Sequence, residues 1–267
     1  MSDKEQEMRV EISRWCRLRS APVFIGDYFL ADGHSEQTIN AAATFVKLGG
    51  RYYACTCHHV QDIADKQKVK CEHGRVTLRI MAGKSVLNLS SFRLDGLQTV
   101  LNRPEEDDYP IDLCIANISS HWQLLQREKG KEAIDLDDWH EPLWEKIEMG
   151  AAAGYSTHGK RRTGKFVETD MPLVIAESHS QLGPQTREFT MRSTLDEPHG
   201  IYFSGMSGGP IVGCWDDKYL PIGFVFEGEP SSPRKEASIY AGPNDIFIRG
   251  LLLTPDRFAG WLDSISK

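Results

Sequence analysis

The sequence predicts an all-β chain in two halves, closed by one C-terminal helix. Short β-prone runs recur in both halves, a charged and partly helical stretch separates them, and the last residues carry the signature of a capped amphipathic helix. In the first half the runs are Val23 to Leu30, Ala41 to Leu48, Tyr52 to Cys57, Arg75 to Met81 and Asp112 to Ile118. In the second they are Lys165 to Thr169, Leu173 to Glu177, Arg187 to Ser193, Pro210 to Cys214, Tyr219 to Glu227 and Phe247 to Leu253. Each is rich in β-branched or aromatic residues and bounded by Gly, Pro, Asp or Ser. Many short strands at close spacing fit barrels or sandwiches.

Between His121 and Ile147, the residues Trp122, Leu124, Leu125, Trp139, Leu143 and Trp144 punctuate a charged stretch that reads as a connector. At the end, Thr254-Pro255-Asp256 supplies a cap, a proline for the first turn and an early acid. Phe258, Trp261, Leu262 and Ile265 follow at helical spacing. The expected organisation is an N-terminal extension over 1–20, a β-unit over 21–120, the connector over 121–147, a second β-unit over 148–253 and the helix over 254–267.

Composition narrows the function class. The 267 residues carry a formal net charge of −7, with 26% charged and 40% hydrophobic residues, as in ordinary soluble domains. Nothing resembles a basic nucleic-acid groove, and Lys160-Arg161-Arg162 reads as a solvated loop. Neither a secretory leader nor a bilayer-spanning run is visible, so the expectation is a cytoplasmic protein with no membrane or nucleic-acid partner. The six cysteines are sparse for this length and are expected as free thiols. Cys55, Cys57, Cys71 and His73 have zinc-ligand chemistry without a familiar finger spacing. Cys55 and Cys57 read as small buried residues on one face of a strand, and neither metal nor cofactor is expected.

The sharpest chemical signal is Gly205-Met206-Ser207-Gly208-Gly209-Pro210. A serine attacks a carbonyl only with a base in hydrogen-bond reach and donors for the oxyanion. Flanking glycines permit a tight turn in which the N–H groups of Gly205 and Ser207 converge. The same letters fit the nucleophile elbow of α/β-hydrolases, whose histidine follows the serine. Here the nine histidines are 34, 58, 59, 73, 121, 140, 158, 179 and 199, all before Ser207. That order excludes the elbow and leaves the order His, Asp, Ser open. His58 and His59 end an apolar strand. Asp112 leads the apolar strand Leu113-Cys114-Ile115-Ala116 inward, where a carboxylate needs a partner, whereas Asp107 and Asp108 lie in a polar loop.

These residues resemble the trypsin-like (chymotrypsin-fold) serine protease family over nearly the whole chain beyond the first twenty residues. Gly205 to Pro210 resembles its serine signature, Asp112 to Ala116 its Asp-Ile-Ala-Leu strand, and Thr56-Cys57-His58-His59-Val60 its histidine motif, which selects His59 over His58. Ala43 to Val46, Gly154-Tyr155 and Ile222 to Gly228 are weaker matches. The resemblance implies two six-stranded antiparallel β-barrels with a C-terminal α-helix, and a serine endopeptidase with His59, Asp112 and Ser207 in a cleft between the barrels. It also implies substrate contacts from Ile201, Tyr202, Phe226, Glu227 and Gly228. With no carboxylate at the pocket floor, a small or apolar side chain is favoured over Lys or Arg, although Glu227 offers a charge near the rim. Met206 departs from the secreted branch, which has Asp there to receive a newly cut N-terminus. Phe203 and Val60 stand where that branch has cysteines. The resemblance is therefore to disulfide-free bacterial and viral members, with a protein or peptide as substrate and control by a regulatory partner, an insertion or expression. A protease-derived binding module, catalytically silent or gated by a partner, or a serine esterase, is the alternative.

Overall fold

The structure, a computed structural model, describes residues 3–27, 39–70, 76–82, 85–88, 100–157, 160–163, 166–178, 182–196, 202–216, 218–230 and 244–266. In the first half the order is α1 (Asp3–Arg19), β1 (Ser20–Asp27), β2 (Ile39–Leu48), β3 (Arg51–Thr56), α2 (His58–Lys70), β4 (Val76–Ala82), β5 (Ser85–Asn88), β6 (Glu105–Glu106), β7 (Tyr109–Pro110) and β8 (Cys114–Asn117). The connector holds α3 (Ser119–Lys129), β9 (Ile134–Asp135) and a 3₁₀ turn at Trp144–Lys146. Then come β10 (Met149–Ala153), β11 (Arg161–Thr163), β12 (Phe166–Glu168), β13 (Leu173–Ser178), β14 (Glu188–Thr194), β15 (Pro210–Trp215), β16 (Lys218–Glu229), β17 (Asp245–Leu252) and α4 (Pro255–Ile265).

The second half is a closed six-stranded barrel, β10-β13-β14-β17-β16-β15, antiparallel throughout. Its interior is packed by Ala152, Phe189, Met191, Ile211, Ile222, Val225 and Ile248, which alternate with outward-facing neighbours as the pleat requires. In the first half a second closed barrel is not shown among the described residues. Its described strands make a seven-stranded sheet, β5-β4-β1-β2-β3-β8, with β9 parallel to β2. Helix α3 lies against β3, β4 and β5, and its Trp122 and Leu125 are buried in the core of this half.

Two helices fasten the halves. At α4, Thr254 accepts from the Arg257 N–H at 3.2 Å and Pro255 opens the first turn, as the sequence predicts. Its buried Phe258 and Trp261 fill the seam between Val46, Tyr53 and Leu113 of the first half and Phe224, Leu251 and Leu253 of the second. Each such side chain contributes about 1.5–3 kcal/mol by leaving water. The N-terminal helix α1, an element the sequence reading leaves as an extension, places Ile12 and Cys16 over the outer face of β10 and β15, against Ala151, Ala153, Val212 and Cys214. Among the described residues no helix is long and apolar enough to cross a membrane.

Candidate active site

The segment from Phe203 to Gly209 makes two consecutive turns before β15 begins. The Met206 N–H donates to the Phe203 carbonyl at 3.2 Å, and the Gly209 N–H donates to the Met206 carbonyl at 2.9 Å. Gly205 (φ 94°) and Gly208 (φ 87°) take the third position of each turn, where a type II turn demands positive φ and a side chain would be strained. Met206, fully buried in the barrel core, pins the loop from below. An apolar anchor thus stands where the sequence reading noted the missing carboxylate.

Strand β2 grips the same loop from the other half. The Ala42 N–H donates to the Ser207 carbonyl at 2.9 Å and the Thr44 hydroxyl to the Gly208 carbonyl at 2.7 Å. The Gly208 N–H is held in turn by the Val225 carbonyl at 2.7 Å. A trans peptide points its N–H opposite to its C=O. The bond to the Met206 carbonyl therefore fixes the direction of the Ser207 N–H. Among the described residues neither the Gly205 nor the Ser207 N–H has an acceptor.

His59 lies in the first turn of α2, just past the end of β3, so a strand-to-helix junction presents it. Its backbone N–H donates to Asp112 Oδ1 at 2.9 Å, its Nδ1 lies 2.7 Å from Asp112 Oδ2, and its Nε2 lies 3.0 Å from Ser207 Oγ. An ionised carboxylate only accepts, so Nδ1 carries the proton and Nε2 is left to accept from the serine hydroxyl. Ser207 Oγ has a second acceptor in the Phe226 carbonyl at 3.4 Å. Burial raises the Asp112 carboxyl, and the hydrogen bonds and charge of His59 lower it by more, so the net direction is downward. Buried Ile111 and Leu113 on either side fix the Asp112 backbone. His58 turns away to Asp62, 3.4 Å distant on its own helix. Asp107 turns toward Arg187 at 2.6 Å, and Asp108 sits beside it in the β6–β7 turn.

No protein-family model matches the chain, and no curated protein matches it in sequence. Among solved structures it is similar to AL20, a thermostable serine protease from an extremophilic microorganism, at 11% identity and a TM-score of 0.49 over 94% of this chain and 98% of that one. It is also similar to a human pathogenic astrovirus serine protease, at 9% identity and a TM-score of 0.41 over 89% of this chain and 92% of that one.

His59 and Ser207 open onto a cleft of 460 Å³ whose walls include Asn40, Val60, Ile63 and Phe226. Of the residues expected to contact substrate, Phe226, Glu227 and Gly228 line it. Tyr202 is not part of that lining, and its backbone carbonyl accepts from the Ser156 hydroxyl at 2.7 Å. Ile201 lies outside the described residues. The Glu227 carboxylate is met by Arg249 at 2.9 Å, and that guanidinium stands 5.0 Å from the Phe226 ring centre, so the rim charge is already countered. The apolar wall of Ile25, Ile39, Val60 and Ile63 was missed in sequence. It comes from β1, β2 and α2, and only folding brings it beside the serine.

The cysteines behave as expected in one respect and not in another. Cys16, Cys55, Cys57, Cys114 and Cys214 are free and buried. Cys55 and Cys57 do not share a face: Cys55 packs in the seam, while Cys57, beyond the strand end, enters the first core and donates its thiol to the Val225 carbonyl at 3.2 Å. Cys71 and His73 lie outside the described residues. Among those described, the grouping of metal-type donors is Cys57, His59 and Asp112, whose ligand atoms lie within 4.8 Å of one another. His59 already spends both ring nitrogens on Asp112 and Ser207. Burial pushes Cys16 and Cys114 up to about 12 and Cys214 to about 11, and raises Cys55 and Cys57. Iodoacetamide at pH 8 is therefore expected to leave these five unmodified in the native chain and to alkylate them in guanidinium. Peptide mass mapping reads the outcome, and a native adduct on Cys57 would contradict its burial.

Proposed function

We propose that this chain is a serine endopeptidase with His59, Asp112 and Ser207 as its catalytic triad. The observation that carries the reading is His59, which joins Asp112 Oδ2 at 2.7 Å to Ser207 Oγ at 3.0 Å across the boundary between the halves. His59 Nε2 takes the proton from Ser207 as Oγ attacks the peptide carbonyl, and Asp112 holds the tautomer and the imidazolium that forms. The Gly205 and Ser207 N–H groups receive the oxyanion. The tetrahedral intermediate collapses, His59 returns the proton to the departing amine, and water repeats the sequence on the acyl-enzyme. The seven-stranded sheet of the first half stands as the counterpart of the second barrel in this reading. An apolar or small side chain beside the scissile bond suits the cleft wall, and a protein or peptide is the substrate.

A fluorophosphonate probe tests this. It is expected to label wild type on Ser207 and to leave Ser207→Ala unlabelled, while wild type also cleaves peptide bonds in unfolded casein. Folded wild type that takes no label overturns the reading of a free-standing peptidase in favour of a silent or partner-gated binding module. Label and ester turnover without casein cleavage would favour an esterase.

A further inference from the structure

Strand β2 faces the serine loop with alternate residues 40, 42 and 44. Two of these contacts are the Ala42 N–H and the Thr44 hydroxyl already described. The third is Asn40, a polar side chain only 4% exposed at the edge of the cleft. A buried amide is costly unless bonded, and Asn40 is bonded twice to the other half. Its Nδ2 donates to the Tyr155 carbonyl, and its Oδ1 accepts from the Thr157 hydroxyl at 3.2 Å.

Thr157 makes this more than a seam contact. Its backbone N–H donates to the Ser204 carbonyl at 2.7 Å. That carbonyl belongs to the same planar peptide as the Gly205 N–H, so the bond sets which way the N–H points. Asn40 also lies directly against this peptide: a Cβ built on Gly205 would come 2.8 Å from Asn40 Nδ2 and 3.0 Å from Thr157 Oγ1. The chain of contacts runs from Asn40 to Thr157, to the Ser204 carbonyl, and so to the orientation of the Gly205 N–H. The Ser207 N–H has its own lock in the Met206 carbonyl and does not depend on Asn40.

We infer that Asn40 is a positioning residue for the oxyanion: it holds the segment 155–157 so that the Gly205 N–H faces the cleft. The inference rests on the peptidase reading. It places on the first half a residue that controls one donor on the second, without touching either His59 or Ser207 by hydrogen bond.

The experiment compares the rate of Ser207 phosphonylation by a fluorophosphonate with the rate of His59 carbethoxylation by diethyl pyrocarbonate, read by peptide mass mapping. The first reaction develops charge on an oxygen that the Gly205 N–H would bind; the second does not. Asn40→Ala is expected to slow the first by about ten- to a hundredfold, up to the loss of one oxyanion donor, and to leave the second within twofold. Asn40→Asp keeps the shape and the acceptor for Thr157 but sets a carboxylate against the Tyr155 carbonyl. It is expected to slow labelling likewise and carries the comparison if Asn40→Ala does not fold. Labelling of Ser207 at the wild-type rate in a folded variant overturns the inference alone, as does an equal fall in both rates, which marks general loosening. Wild type that takes no label on Ser207 overturns the peptidase reading and this inference with it.

Discussion

Ser207→Ala, His59→Ala and the double variant are expected to fall to one common floor, with kcat on a quenched peptide about 10⁶-fold below wild type. The reason is that the two side chains act in one proton transfer. With 3.0 Å between His59 Nε2 and Ser207 Oγ, the imidazole has work only when the hydroxyl is there, and the hydroxyl is a weak nucleophile without it. Removing the second partner after the first should cost little more. What survives comes from the Gly205 and Ser207 N–H groups and from substrate binding, which none of these changes touches. Steady-state kinetics of the four proteins checks this. Losses that multiply would mean that His59 and Ser207 act separately, and wild-type turnover by Ser207→Ala would place the chemistry elsewhere.

The residues of the proposed triad could be picked out of the sequence because their chemistry constrains order as well as identity. No histidine follows Ser207, and that single fact removes the competing nucleophile elbow. The choice of His59 over His58 came from the motif, and in the structure the two rings diverge, one to Asp112 and Ser207 and the other to Asp62. Every β-prone run named in the sequence that falls on described residues overlaps a strand, since β-branched and aromatic residues mark a pleated, half-buried surface.

What was missed has physical causes. Met149–Ala153 carries almost no β-prone side chains, yet it closes the barrel. Its small residues are required from both sides: Ala151 and Ala153 lie beneath α1, and a Cβ on Gly150 would meet the Met191 sulfur. Tertiary closeness here overrides local propensity. Helix α1 was hidden by its charge, although Met8, Ile12, Trp15 and Cys16 do recur at helical spacing and are the residues that pack. Asn40 gave no signal, because a polar residue at a strand start reads as solvated until the other half is brought against it. Helix α3 was hidden for a similar reason: Trp122 and Leu125, which bury it in the core of the first half, read in sequence as part of a connector.

Asp112→Asn is expected to lower kcat by about 10⁴-fold with little change in KM. Two oxygens of Asp112 have different tasks: Oδ1 accepts the backbone N–H of His59, and Oδ2 accepts Nδ1–H. The substituted amide can keep its oxygen toward the backbone N–H only by turning its NH₂ toward Nδ1. That donor makes Nδ1 the acceptor and moves the ring proton to Nε2, which then faces Ser207 Oγ with a hydrogen in place of a lone pair. The base is present and correctly placed, in the wrong tautomer. Stability supplies an independent check. Because the Asp112 carboxyl is held below its ordinary value, its folded-state contribution is complete above the usual aspartate range near about 4 and is lost as pH falls through the depressed value. The gap in urea midpoint between wild type and Asp112→Asn should therefore narrow as pH falls below about 4. A gap that widened as pH fell below about 4 would mean that burial, not His59, sets the state of this carboxyl, and the pairing on which the tautomer argument depends would fail with it.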